Sequence, residues 1–134
     1  MIRALLAATV YFLLVFAAGF ALGAVRVILV VPRLGVFAAT LIEIPLMLAV
    51  AFLACRLVLD HWQVPPLPVL RWTMATWFVA MLTLCEYQLG ILLFDRSAGQ
   101  QWALLASPAG LAGLGAQLLA ALLPVILLRY PVRR

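Results

Sequence analysis

The chain has 134 residues, of which 69% are hydrophobic and only 10% are charged. Soluble domains are about 45–50% apolar and about 25% charged, and a fold of this size has no core large enough to hide so much apolar surface. The composition therefore excludes an ordinary soluble domain and predicts that lipid surrounds most of the side chains.

The net charge of +5 comes from nine basic residues, all of them arginine, against four acidic residues. The arginines are scattered singly rather than clustered, which argues against a nucleic-acid partner. They fall near the ends of apolar runs, where membrane proteins carry the charges that set their topology. The expected partners are the lipid bilayer and either another membrane protein or further copies of this chain.

Four apolar runs are long enough to cross a bilayer core as helices, which takes about 20 residues. We expect the first run to be broken by Pro32, Arg33 and Gly35, and the last to open with Ser107 as helix cap and Pro108 in its first turn. The start of the chain resembles a secretion signal, but its apolar run far exceeds the usual ~7–15 residues, so an uncleaved first helix is expected. The predicted fold is an all-α, four-helix transmembrane bundle, one domain over 1–134, with spans at 4–31, 37–59, 68–94 and 108–128.

The connections and the orientation follow from the residues between the spans. Residues 97–106 are expected to form a short interfacial helix. Counting arginines at the two ends of the bundle gives six against three, which predicts that both termini are cytoplasmic.

A composition rich in Ala, Leu, Val and Arg, without Lys or Asn, indicates a GC-rich bacterial genome. The expected location is therefore a bacterial inner membrane.

Four of the polar side chains inside the spans lie at a similar depth, each on a different helix. Counted at 1.5 Å per residue, each lies roughly 8–13 Å from the outer edge of its span. Charges at this depth are costly unless they are paired or hydrated. The sequence therefore predicts one buried polar cluster in the outer leaflet, with a fifth residue at its mouth: Arg26, Glu43, Glu86 and Gln117, and then Arg33.

Small residues and prolines lie beside this cluster. Gly19 and Gly23 form a GxxxG pattern on the face of the first span that carries Arg26, which favours close helix packing there. Pro45 cannot donate to the carbonyl of Leu41 and leaves that carbonyl free for another partner.

Three interpretations of the cluster stay open at this point. A buried ion pair can fix helix register, intramembrane carboxylates can carry protons or ions, and a polar patch can dock a partner. No nucleophile–base pair, cofactor motif or metal-ligand spacing is visible. His61 is expected to be an exposed loop residue, and Cys55 and Cys85 are expected to be unlinked apolar packing residues.

The stretch LGAVRVILVVPRLGVFAATLIEIPLML, which starts at Leu22, has the pattern G-x-x-R-x(6)-R-x-G-x(7)-E-x-P-x-M. It resembles a pattern of uncharacterised small four-helix inner-membrane proteins of proteobacteria. The resemblance does not imply an activity. It implies that six positions are important: Arg26, Arg33, Gly35, Glu43, Pro45 and Met47. The expected function is a non-enzymatic accessory or structural membrane subunit, and the alternative is a small oligomeric transporter or channel that uses the two glutamates.

Overall fold

The computed structural model describes residues 1–129, and over that range the chain is helical with no strand. The elements are α1 (Ile2–Val25), a π turn (Arg26–Val30), α2 (Val31–His61), α3 (Pro68–Leu92), α4 (Ala98–Leu105), α5 (Pro108–Ile126) and a final 3₁₀ turn (Leu127–Arg129). The all-α fold class is thereby confirmed.

Three helical stretches are long and apolar enough to cross a membrane: Ile2–His61, Pro68–Leu92 and Pro108–Arg129. The first has 60 residues, which as a straight helix would be about 90 Å long, three times the thickness of a bilayer core. It bends at Gly35, which has φ 80° and ψ 166°, a conformation that side-chain-bearing residues avoid. Since α1 packs against α2, the stretch is a hairpin of two helices.

The bend lies at Gly35 alone, whereas the sequence suggested a break over residues 32–35. Helical backbone continues through Pro32 because a π turn precedes it, in which Val31 donates its N–H to the carbonyl of Arg26. Pro32 then falls in the first turn of α2, where its missing N–H costs little.

The four long helices form a bundle in which α1 packs against α2 and α3, and α5 packs against the same two helices. The consecutive helices α2 and α3 are therefore diagonal, and the linker over residues 62–67 crosses one end of the bundle. We call this end the base; it also holds the first residues of α1 and the last of α5. The opposite end, which holds Gly35 and α4, is the apex.

Two polar contacts hold the base together. Val64 of the linker is buried, and its carbonyl accepts a hydrogen bond of 3.1 Å from Nη2 of the fully buried Arg71. Pro124 in α5 cannot donate to the carbonyl of Ala120, and the Tyr11 hydroxyl donates to that carbonyl instead, at 2.6 Å. The second bond joins α1 to α5 across the diagonal of the bundle.

The apolar core fills only the base half. Its largest members are aromatic: the rings of Tyr11 and Phe78 lie 4.9 Å apart, and those of Phe12 and Phe78 lie 5.9 Å apart. In the apex half of the described chain (residues 16–50 and 79–119), only Ala39, Thr40 and Gly90 are buried. The bundle is thus tightly packed at the base and loosely packed at the apex.

Candidate functional site

An ion pair joins the two arms of the hairpin near the apex. Nε of Arg26 lies 3.0 Å from Oε2 of Glu43, and Nη1 of Arg26 donates to the Thr40 hydroxyl at 2.9 Å. That hydroxyl in turn donates to the carbonyl of Val36 at 2.9 Å. The side chain of Arg26 is 29% exposed and that of Glu43 is 13% exposed, so the pair is largely shielded from its surroundings.

Local structure explains why one guanidinium reaches both partners. Thr40 and Glu43 are three residues apart on α2, so they lie on the same face of the helix. Arg26 opens the π turn, and such turns inside α-helices are common at functional sites. The hairpin bend at Gly35 then brings this turn back against α2.

A second pair joins α3 to α5. Nε2 of Gln117 donates to Oε1 of Glu86. Within residues 1–129 no arginine pairs with Glu86, so this carboxyl is held by a neutral amide. It differs in that respect from Glu43, whose charge has a direct counter-ion.

The structure divides the predicted buried cluster into these two pairs, and Glu86 is exposed rather than buried. No hydrogen bond or ion pair links Arg26 or Glu43 to Glu86 or Gln117 within the described residues. Each pair lies between two neighbouring helical segments, the first between the arms of the hairpin and the second between α3 and α5, so similar depth alone does not bring the four groups together. Arg33 is exposed and forms no ion pair in this range, so it does not close the mouth of a single cluster.

The predicted packing glycines differ in how closely they approach a neighbouring helix. A side-chain carbon on Gly19 would lie 3.4 Å from the terminal methyl of Met47, whereas one on Gly23 would meet nothing within 4 Å. The GxxxG pattern therefore packs against α2 at one of its two glycines. Pro45 sits inside α2 without ending it.

Sequence reasoning missed two residues that the fold relies on. Tyr11 was not identified as the partner of the carbonyl freed by Pro124, although a tyrosine deep in an apolar span needs an acceptor. Arg71 was counted only among the arginines near the ends of apolar runs, but it is fully buried, and its Nε and Nη1 have no hydrogen-bond partner. A short proline-rich linker between diagonal helices is the feature that buries it.

The remaining candidates show no catalytic arrangement. His61 is exposed and ends α2 beside the ring of Trp62, and Cys55 and Cys85 are both free thiols. No group of three metal-ligating side chains occurs in the described part of the chain. Comparison with family models, curated proteins and solved structures finds no match to this chain.

Proposed function

We propose that this protein is a non-enzymatic accessory or structural subunit of a bacterial inner membrane, a transmembrane four-helix bundle with both termini cytoplasmic. The observation that carries the proposal is the pairing of its intramembrane polar groups with each other. Arg26 binds Glu43 and Thr40, and Glu86 binds Gln117. Paired groups of this kind fix helix rotation and register.

The packing of the base supports the same proposal. Tyr11, Phe12, Met74 and Phe78 are buried together there, so a single copy offers no polar route from apex to base through these side chains. Most of the described chain lies in helices long and apolar enough to be embedded in lipid. A protein of this design acts through its lipid-embedded surface, on a membrane-protein partner or on its own copies.

Native mass spectrometry of the protein, extracted gently from its own host, tests this proposal. We expect a complex with another membrane protein at a fixed stoichiometry across independent preparations. An unrelated four-span protein with the same tag and expression level serves as the control and should not carry that partner. Recovery of the protein without any partner in every preparation would contradict the accessory role.

A second candidate is a small oligomeric transporter or channel for protons or cations. Two observations favour it: Glu86 has no counter-ion within residues 1–129, and the apex half around it is loosely packed. Reconstituted vesicles test it through proton and cation flux. Flux that is lost in Glu86→Gln would support transport, whereas flux that survives both Glu43→Gln and Glu86→Gln would exclude these carboxylates as its sites.

A further inference from the structure

Formal charge is divided unequally between the two ends of the bundle. The apex carries three arginines and three acidic residues, so its charges balance: Arg26, Arg33 and Arg96 against Glu43, Glu86 and Asp95. Within the described residues the base carries four arginines and one acidic residue: Arg3, Arg56, Arg71 and Arg129 against Asp60. The base therefore carries the excess positive charge.

A groove of about 600 Å³ runs along the outer face of α3, starting at the base. Its floor is formed by small or short side chains and its walls by two indoles. One wall is fixed in position, because Nε1 of Trp77 donates to the Thr9 hydroxyl on α1 at 3.0 Å. We call this the α3 groove; its lining includes Val69, Trp72, Thr73, Thr76, Trp77 and Ala80.

The register between α1 and α3 sets the depth of Arg3 relative to the groove. Both helices run from base to apex, and Trp77 meets Thr9. Arg3 lies six residues before Thr9, about 9 Å toward the base, and Trp72 lies five residues before Trp77, about 7.5 Å toward the base. The exposed Arg3 therefore stands at the level where the groove opens.

We propose that the α3 groove binds an anionic phospholipid, with an acyl chain between Trp72 and Trp77 and the phosphate headgroup at the cationic base, at the depth of Arg3. The groove is long, apolar and open to the side, as an acyl chain requires, and anionic headgroups are attracted to arginines at a membrane surface. The excess positive charge of the base complements that headgroup. This inference does not depend on the accessory role, since any function of the protein is compatible with a bound lipid.

Charge also argues for lipid over a second copy of the chain. A symmetric pair of α3 grooves would bring two cationic bases side by side, and like charges repel. The hydroxyls of Thr73 and Thr76 donate to Val69 and Trp72 of their own helix. Both threonine hydroxyls of the groove are therefore satisfied within α3 itself.

Fluorescence quenching by brominated lipids tests the proposal. The full chain keeps Trp72 and Trp77, has phenylalanine at the other two tryptophan positions, and is reconstituted in phosphatidylcholine vesicles. Increasing fractions of phosphatidylglycerol or of phosphatidylcholine, each with brominated acyl chains, are then added. We expect half-maximal quenching at several-fold lower fractions of the anionic lipid.

Two variants and two matched controls test whether the preference for the anionic lipid depends on the groove. Arg3→Gln should reduce the preference about fivefold, the effect of one surface charge, while Arg33→Gln at the apex should not change it. Thr76→Phe should abolish the preference by filling the groove, while Val79→Phe, on the same helix but outside the groove, should keep it. Equal quenching by the two lipids, or a preference that survives both Arg3→Gln and Thr76→Phe, would overturn the proposal. So would a dimer in which Trp77 is shielded from both lipids.

Discussion

At the scale of single residues, the fold depends on polar groups that satisfy each other within an apolar interior. Pro124 removes the N–H that would bond the carbonyl of Ala120, and Tyr11 supplies the missing donor. The two residues are 113 positions apart, yet they form one unit that joins α1 to α5. An unsatisfied carbonyl in such surroundings costs free energy comparable to a lost hydrogen bond.

Tyr11→Phe should therefore lower the free energy of unfolding by about 1–2 kcal/mol. Unfolding in mixed detergent micelles measures this change. Tyr87→Phe serves as the control, because Tyr87 is exposed and its loss should have little effect. Adding Pro124→Ala to Tyr11→Phe should restore part of the stability, since the new N–H can bond the Ala120 carbonyl. No loss of stability in Tyr11→Phe would show that this bond contributes nothing.

At the scale of elements, two glycines determine how helices are connected. Gly35 makes the hairpin bend with φ 80°, and Gly110 lies where α4 turns into α5. A side-chain carbon at Gly110 would overlap the backbone carbonyls of Leu104 and Leu105. The turn there is also closed by a hydrogen bond of 3.1 Å from the Gly110 N–H to the Ser107 hydroxyl.

Gly35→Ala should lower the free energy of unfolding by about 1–3 kcal/mol, because the bend requires a conformation that alanine adopts only with strain. Gly23→Ala is a matched control in the same hairpin, where the added methyl meets nothing within 4 Å. It should be neutral or slightly stabilising, since alanine favours a helix. Thermal unfolding in detergent compares the two variants. Equal stability of both would show that the bend at Gly35 is not needed.

Gly110→Ala should separate α4 from α5, because backbone atoms cannot move aside as a flexible side chain can. We expect a loss of about 1–3 kcal/mol in unfolding free energy, with faster amide exchange over Ala98–Leu105. Gly113→Ala, whose methyl would face open space, provides the comparison within the same helix. Unchanged exchange in α4 after Gly110→Ala would contradict the tight turn.

At the scale of the whole molecule, the chain combines a packed base with a loosely packed apex. The base has the apolar core and the excess positive charge, and the apex has the two polar pairs. This division suits a small bundle that holds one ion pair and one carboxyl–amide pair: the core supplies stability, and we expect the pairs to set the rotation of the helices around it.

The sequence was sufficient for features that depend on local chemistry. The predicted cap at Ser107 marks the start of α5, and the structure confirms it. The short helix expected over residues 97–106 is present as α4. Residue counting also placed Arg26 level with Glu43 and Glu86 level with Gln117, and the members of each pair are in contact. The lateral neighbours of each residue were not predictable, because the order of helices around the bundle does not follow from depth. Arg26 and Gln117, for example, lie on helices at opposite corners. Arg71 is buried by a linker whose diagonal path no local pattern reveals.

We expect Arg26 and Glu43 to be structural partners, and a double-mutant cycle on the two residues tests this. Unfolding free energies are measured for Arg26→Met, Glu43→Gln and the double variant. We predict that Arg26→Met costs about 3–5 kcal/mol, because it leaves a carboxylate unpaired. The double variant should regain at least about 1 kcal/mol relative to the sum of the single changes. Single variants as stable as the original protein, with no coupling between the two positions, would contradict the account.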